Sequence, residues 1–253
     1  MLRTTAAPTG FPTASIDRTA APAPPAMVAR AEGATRVYGS GETRVVALDA
    51  VTVAIPAAEL TAVMGPSGSG KSTLMHCLAG LDTLTSGRVF LDDVELSGLS
   101  DRKLTQLRRD RIGFVFQAFN LLPTLTALEN ITLPMDLAGR RPDQRWLDHV
   151  VEVVGLRARL DHRPSELSGG QQQRVAVARA LAGRPAVIFA DEPTGNLDRA
   201  SGQEVLRFLR SAVDDLGQSI VMVTHDPHAA SYADSVLTLT DGRIVAHERG
   251  EAA

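Results

Sequence analysis

Residues 65–73 read Gly65-Pro66-Ser67-Gly68-Ser69-Gly70-Lys71-Ser72-Thr73. This G-x-x-x-x-G-K-[ST] spacing constrains the chain more than any other stretch, because its chemistry needs a loop between a buried strand and a helix. Glycines let successive backbone N–H groups converge on one concave nest. A helix starting near Gly70 points its unpaired N–H groups at the same place. Such a nest suits a triphosphate tail, with Lys71 as a mobile charge for the β- and γ-phosphates and Ser72 as a hydroxyl for Mg²⁺. The flanks agree. Leu60–Met64 is a short apolar run that suits a buried strand, and Leu74–Ala79 continues as an apolar helix before Gly80.

The rest of the composition sets bounds. The 253 residues can hold one large domain or two small ones, and apolar content of 44% with 22% charged suits a globular protein. A net charge of −3 gives no global argument for nucleic acid, and none is expected as a partner. One cysteine, Cys77, excludes an internal disulfide and fits core packing on the helix after the loop. No apolar run reaches the ~18 residues that span a bilayer, so work at a membrane requires a partner to supply the span. Residues 1–27 are rich in Ala, Pro and Thr and lack the continuous apolar core of a secretory signal. They are expected to form a disordered tail, with Met27 a candidate true start, ahead of one domain over 28–250.

Beyond the tail the pattern is β-rich. Ala34–Tyr38, Val45–Leu48 and Val51–Ile55 are expected as strands, the last with the period-two alternation of a half-buried antiparallel strand. Gly87–Leu91 and Ile112–Phe116 are further strands, separated by a polar helix over Asp101–Asp110. Phe119-Asn120-Leu121-Leu122 is an apolar loop that suits either local core or a protein-gripping surface. Thr126 and Glu129 have capping-box spacing, and Gln144–Val154 carries Trp146, Leu147, Val150, Val151 and Val154 three and four apart. Residues 118–165 thus read as a helical subdomain inserted in an α/β core. Pro185–Ala190 and Ser219–Thr224 are buried strands, and 237–245 is a hairpin turning at Asp241-Gly242.

Polar groups stand at telling places in this order. Asp191 and Glu192 end an apolar strand, where α/β sheets bind ligands. With a P-loop upstream, Asp191 is the expected Mg²⁺ carboxylate, and Glu192 is placed to polarise a water for in-line attack. His225 ends another strand, where a γ-phosphate contact is favoured over a structural role. Ser168 and Gln171 cap a helix in Leu167-Ser168-Gly169-Gly170-Gln171-Gln172-Gln173-Arg174. That segment is either a well-capped helix or a second anion site, where Gly169 and Gly170 clear the approach. Tyr38, on its residue type alone, is read as packing in preference to ligand binding.

Taken together, these motifs resemble the nucleotide-binding subunit of ATP-binding cassette transporters, over about Ala34 to Val245. LSGGQQQR at 167–174 is similar to the family's signature. The resemblance implies a P-loop NTPase core with a mixed sheet, an antiparallel β subdomain and an inserted helical subdomain. It makes Tyr38 an adenine-stacking aromatic and Gln117 a residue that touches Mg²⁺ and the attacking water. It assigns Ser168, Gly169 and Gly170 to the γ-phosphate bound by another subunit, Asp198 to the dimer seam, and His225 to the switch position. Val115-Phe116-Gln117, Phe119–Pro123 and Asp191–Asp198 look like the lipoprotein-release, macrolide-export and cell-division branch. Ala57-Ala58-Glu59 departs from the family, which usually has Gly before the Glu at that turn.

The function implied is an ATPase, with ATP and Mg²⁺ as cofactors, whose two copies sandwich ATP in a twofold homodimer and drive a membrane permease. Its implied location is peripheral, on the cytoplasmic face of the cell membrane. Catalysis is assigned to Glu192, His225, Gln117 and Lys71, and the metal to Ser72, Gln117 and Asp191. Alternatives are a mechanical regulator that transports nothing, as in the cell-division branch, and a soluble cassette ATPase outside transport.

Overall fold

The computed structural model describes residues 26–250, so the tail expected over 1–27 lies almost wholly outside the described residues. Two sheets form the frame. The first is antiparallel, in the order β2-β1-β4-β5, from β1 (Met27–Tyr38), β2 (Val45–Pro56), β4 (Ser86–Leu91) and β5 (Val94–Glu95). The second contains β3 (Leu60–Met64), β6 (Ile112–Phe116), β7 (Val187–Asp191), β8 (Ser219–Val223), β9 (Ser235–Thr240) and β10 (Arg243–Arg249), in the order β10-β9-β3-β8-β7-β6. Its strands run parallel except β10, which returns antiparallel to β9.

The near-continuous apolar runs seen in the sequence belong to strands covered on both faces. Side chains alternate between two cores with the strand period. Ile188, Ala190, Ile220 and Met222 face one cluster, whereas Val187, Phe189, Val221 and Val223 face the other. The second cluster joins the antiparallel sheet and helix α1 (Lys71–Leu78). Burial pushes the Cys77 thiol of α1 up to about 12, which makes it a packing group and not a nucleophile. The first cluster joins α3 (Ala127–Leu137), α4 (Gln144–Val153) and α5 (Gly169–Ala182). Helix α2 (Asp101–Arg111) buries none of its residues fully, as its polar sequence implies.

Several features differ from expectation, among them β1, which begins at Met27 and not at Ala34, and the short strand β5. Val45–Leu48 and Val51–Ile55 form one strand, β2, which passes through Ala50 at φ 50° without ending. Helix α6 (Arg199–Asp214) stands where the sequence reading assigns no element. Its signals were present: Asp198 caps the backbone N–H groups of Ala200 and Ser201, and Val205, Leu206, Leu209, Ala212 and Val213 make its buried stripe. A four-residue helix, α7 (Pro227–Ala230), follows β8. At the turn before β3, Ala58 takes φ 56°, the left-handed conformation that glycine adopts at least cost.

Candidate functional site

Register in the parallel sheet assembles the site. Val63 of β3 is level with Val223 of β8, and Val223 with Asp191 of β7. Asp191 is in turn level with Phe116 of β6. The residues after these positions, Gly65, His225, Glu192 and Gln117, therefore emerge along one carboxyl edge, where such sheets take ligands. Backbone bonds continue the sheet past its strands, from Thr224 N–H to Val63 O at 3.1 Å and from Glu192 N–H to Val223 O at 2.9 Å.

A cavity of about 620 Å³ opens at this edge. It is lined by the loop residues Gly65–Gly68 and Gly70–Thr73, by Glu192 and His225, and by Val45, Ala47 and Val223. The loop needs glycine at its first position. A Cβ on Gly65 would lie 2.1 Å from the Leu239 carbonyl oxygen, and the residue takes φ 143°. Gly70, at φ 102°, caps α1 and turns the helix N-terminus onto the cavity. Lys71 donates from Nζ to the carbonyls of Gly65 and Pro66, both at 2.8 Å, so its ammonium is folded back over the loop. Ser69 Oγ is buried there without a hydrogen-bond partner.

Asp191 is half-buried, and that burial raises its carboxyl above the usual range. Glu192 adds to the rise, while His76, Lys71 and the Ser72 hydroxyl oppose it. Glu192 takes φ 46°, a strained setting for a glutamate that redirects its side chain from the strand. Its Oε1 lies 2.8 Å from His225 Nδ1. That hydrogen bond, then the carboxylate charge, raises the His225 imidazole.

The other predicted residues are not in the cavity wall. Gln117 donates from Nε2 to Asn196 Oδ1 at 3.0 Å, and Asn196 Nδ2 returns a bond to the Gln117 carbonyl. Asp198 is engaged as the cap of α6, accepting also from Ser201 Oγ at 2.7 Å. Ser168 caps α5 in a full capping box with Gln171, and both Ser168 and Gly169 are exposed. Gly170 is packed close, since a Cβ there would sit 3.0 Å from Ser201. Tyr38 is exposed at the end of β1, opposite Val45 of β2, which does line the cavity. Val45, Ala47 and the Gln117–Asn196 pair were missed in the sequence. The pair joins side chains 79 positions apart, a contact only the β6–β7 register reveals.

Comparison with known proteins places the chain in a family. The family model described as "ABC transporter" matches residues 48–195. An uncharacterized ABC transporter ATP-binding protein of Thermotoga maritima is 48% identical over 216 residues, covering 85% of this chain and 92% of that one. The macrolide export ATP-binding/permease protein MacB of Chlorobaculum tepidum is 47% identical over 213 residues, 83% of this chain and 32% of its own length. Among solved structures, the dimeric post-hydrolysis state of the ATP-binding cassette MJ0796 bound to ADP and Pi superposes with a TM-score of 0.78. It is 39% identical, over 89% of this chain and all of that one.

Proposed function

Because this chain belongs to the ABC transporter family and is an ATPase of that family, we propose that two copies close around ATP and drive a membrane permease. The observation that carries the proposal is a division of labour. The P-loop, Glu192 and His225 line one cavity, while the exposed Ser168–Gly169 start of α5 does not line it. A helix N-terminus with clear approach is an anion site in search of a phosphate. A second copy would bring its α5 to the first copy's nucleotide, and twofold symmetry would make two such sites. The dimeric cassette among the similar structures supports that arrangement.

Within each half-site the roles follow from position. Lys71 leaves the Gly65 and Pro66 carbonyls for the phosphates. Ser72 and Asp191, with Gln117 nearby at the same sheet edge, fit Mg²⁺, a hard cation held by few protein oxygens and by substrate phosphates. A half-buried carboxylate whose charge is disfavoured by burial is a fit partner for such an ion. Mg²⁺ bound there would neutralise charge on the β- and γ-phosphates. Glu192 orients the attacking water and takes its proton, and His225 holds the glutamate and reaches toward the γ-phosphate. Hydrolysis and charge separation then loosen the pair, and opening is the mechanical output.

A second groove, of about 390 Å³, supports contact with a permease at the membrane's inner face. It runs between α2, β6 and α3, with Leu81, Phe114, Phe116 and Pro134 in its lining. Asn120 lies in its wall, and Arg179 of α5 donates to the Asn120 and Phe119 carbonyls at 2.6 and 2.9 Å. A segment seated there would press on α5, whose first residue is at the proposed shared site. No helix among the described residues is long and apolar enough to cross a membrane. MacB, by its description, joins ATP-binding and permease parts in one protein, and a permease is the partner proposed here.

The experiment is Glu192→Gln. ATP should still bind, turnover should fall by at least about a hundredfold, the scale of a lost general base, and ATP should hold a stable dimer in gel filtration. A variant that turns over normally would remove Glu192 from that role.

A further inference from the structure

Tyr38 does not hang freely at the end of β1. Its hydroxyl donates to Asp82 Oδ2 at 2.5 Å. Arg36, two residues earlier, reaches the same carboxylate from Nη2 to Oδ1 at 2.8 Å and from Nε to Oδ2 at 3.1 Å. The Arg36 guanidinium carbon also lies 4.5 Å from the centre of the Tyr38 ring. The three side chains close a triangle. It covers one ring face with a cation and ties down the hydroxyl, in a residue that stays 38% exposed.

The anchor is itself fixed to the phosphate side. Asp82 follows α1, and its backbone N–H donates to the His76 carbonyl of that helix at 3.2 Å. Its Oδ1 accepts from Thr83 N–H at 2.7 Å. Burial works to raise this carboxyl, yet the Tyr38 hydroxyl, Thr83 N–H and Arg36 outweigh it and hold it below the usual range. The ring is thus joined to the helix that begins at the P-loop. It also stands beside the cavity mouth, because its cross-strand partner Val45 lines that cavity.

We propose that Asp82 and Arg36 are positioning residues for the nucleobase, holding Tyr38 with one face presented so that stacking needs no further ordering of the ring. The proposal rests on the reading of Tyr38 as the base-stacking side chain. A side chain ordered before binding spares the cost of immobilising it, roughly a twofold to tenfold gain in affinity. The gain falls on the base alone. The phosphates are held by the loop and are indifferent to it.

The test compares two ligands, ATP and inorganic tripolyphosphate, each titrated with Mg²⁺ into the nucleotide-free chain by calorimetry. Tyr38→Phe keeps the ring and loses only its tie to Asp82. Asp82→Ala removes the anchor for both partners. Each is expected to weaken ATP roughly twofold to tenfold and leave tripolyphosphate affinity unchanged. The double variant should be no weaker than the worse single one, as for residues acting through one contact. Tyr38→Ala should abolish most of the preference for ATP over tripolyphosphate. If Tyr38→Ala does so while Tyr38→Phe binds ATP as the parent does, the clamp is overturned and the stacking survives. If Asp82→Ala weakens both ligands alike, Asp82 is merely structural. An unchanged preference in Tyr38→Ala removes the stacking reading itself.

Discussion

Glu192 spends conformational energy to point where it does: at φ 46° it occupies a region that costs an L-residue about 1–2 kcal/mol. The side chain so aimed meets His225, and the pair makes a prediction about protons. The imidazole is raised above its ordinary value near 6.5, first by the Glu192 hydrogen bond and then by its charge, with Asp226 assisting and Lys71 opposing. A raised cationic group stabilises the fold fully below about pH 6.5, and that contribution fades as pH rises through the higher folded value. His225 is 74% exposed, so solvent screens the effect on stability, and the titration itself is the better readout. In nucleotide-free protein the His225 ring protons should titrate above 6.5 by NMR, and Glu192→Gln should bring the midpoint back toward 6.5. A midpoint that ignores the substitution would dismiss the pair. Ala58 tests the same backbone physics away from chemistry. It sits at φ 56° where a glycine costs less, and its N–H is held by Ser219 Oγ at 2.9 Å. Relief of about 1–2 kcal/mol of strain outweighs the ~0.4–1 kcal/mol that glycine loses in the unfolded chain. Ala58→Gly should therefore raise stability by up to about 1.5 kcal/mol in urea denaturation, with the m-value unchanged.

Helix α5 is the element where stability and the proposed recognition meet in one residue, Ser168. Ser168 accepts the Gln171 N–H at 3.3 Å while Gln171 Oε1 takes the Ser168 N–H at 3.0 Å, and the helix then runs through a buried stripe that includes Val175, Ala178 and Leu181. Ser168→Ala should cost about 1 kcal/mol from the lost cap, with or without nucleotide. Ser168→Asp separates the two roles. Aspartate caps as well as serine, so the melting curve should stay near the parent's, while its charge repels a γ-phosphate and ATP-driven dimerisation fails. A Ser168→Asp chain that still dimerises on ATP would leave α5 as a well-capped helix only. This ambiguity was written in the sequence, where capping-box spacing and two glycines fit both readings. The elements that read cleanly are those with one strong local cause: the strand before Gly65, the Asp241-Gly242 hairpin (φ 47° and 73°), and the Thr126–Glu129 cap. Helix α6 carries its signals in the sequence, an N-cap aspartate and an apolar stripe, but Asp198 fits a dimer-seam residue as well as a cap, and its bonds to Ala200 and Ser201 decide for the cap within one chain. The Gln117–Asn196 and Tyr38–Asp82 pairs are hidden in the sequence for a different reason. Each joins distant segments through pairing geometry, which no local pattern encodes.

At the scale of the whole molecule, the decisive question is whether one chain contains a complete reaction centre. The cavity at the sheet edge is lined by the P-loop and by the hydrogen-bonded Glu192 and His225, and Asp191 ends the strand that leads to Glu192. The start of α5 belongs to the same chain but lines no part of that cavity. Complementation exploits the separation. A Lys71→Ala chain keeps α5 and loses the P-loop lysine, and a Ser168→Asp chain keeps the P-loop and spoils α5. Each alone should be nearly inactive, because every site in either homodimer is damaged. In a mixed dimer one site pairs the good P-loop with the good α5, and the other combines both defects. Equal mixing makes half the dimers mixed, so if each site turns over independently roughly a quarter of the parent rate should return. The recovered rate should also fall on dilution, since it depends on association. Recovery would require that each centre be built by both subunits, because no single chain in the mixture has all its parts. A mixture as silent as its components, although crosslinking detects mixed dimers, would mean either that each chain works alone or that both sites must fire together. Turnover by the parent chain at falling concentration separates those two. A rate per chain that holds constant on dilution identifies a solitary enzyme, and one that collapses identifies a pair whose two sites are obligately coupled.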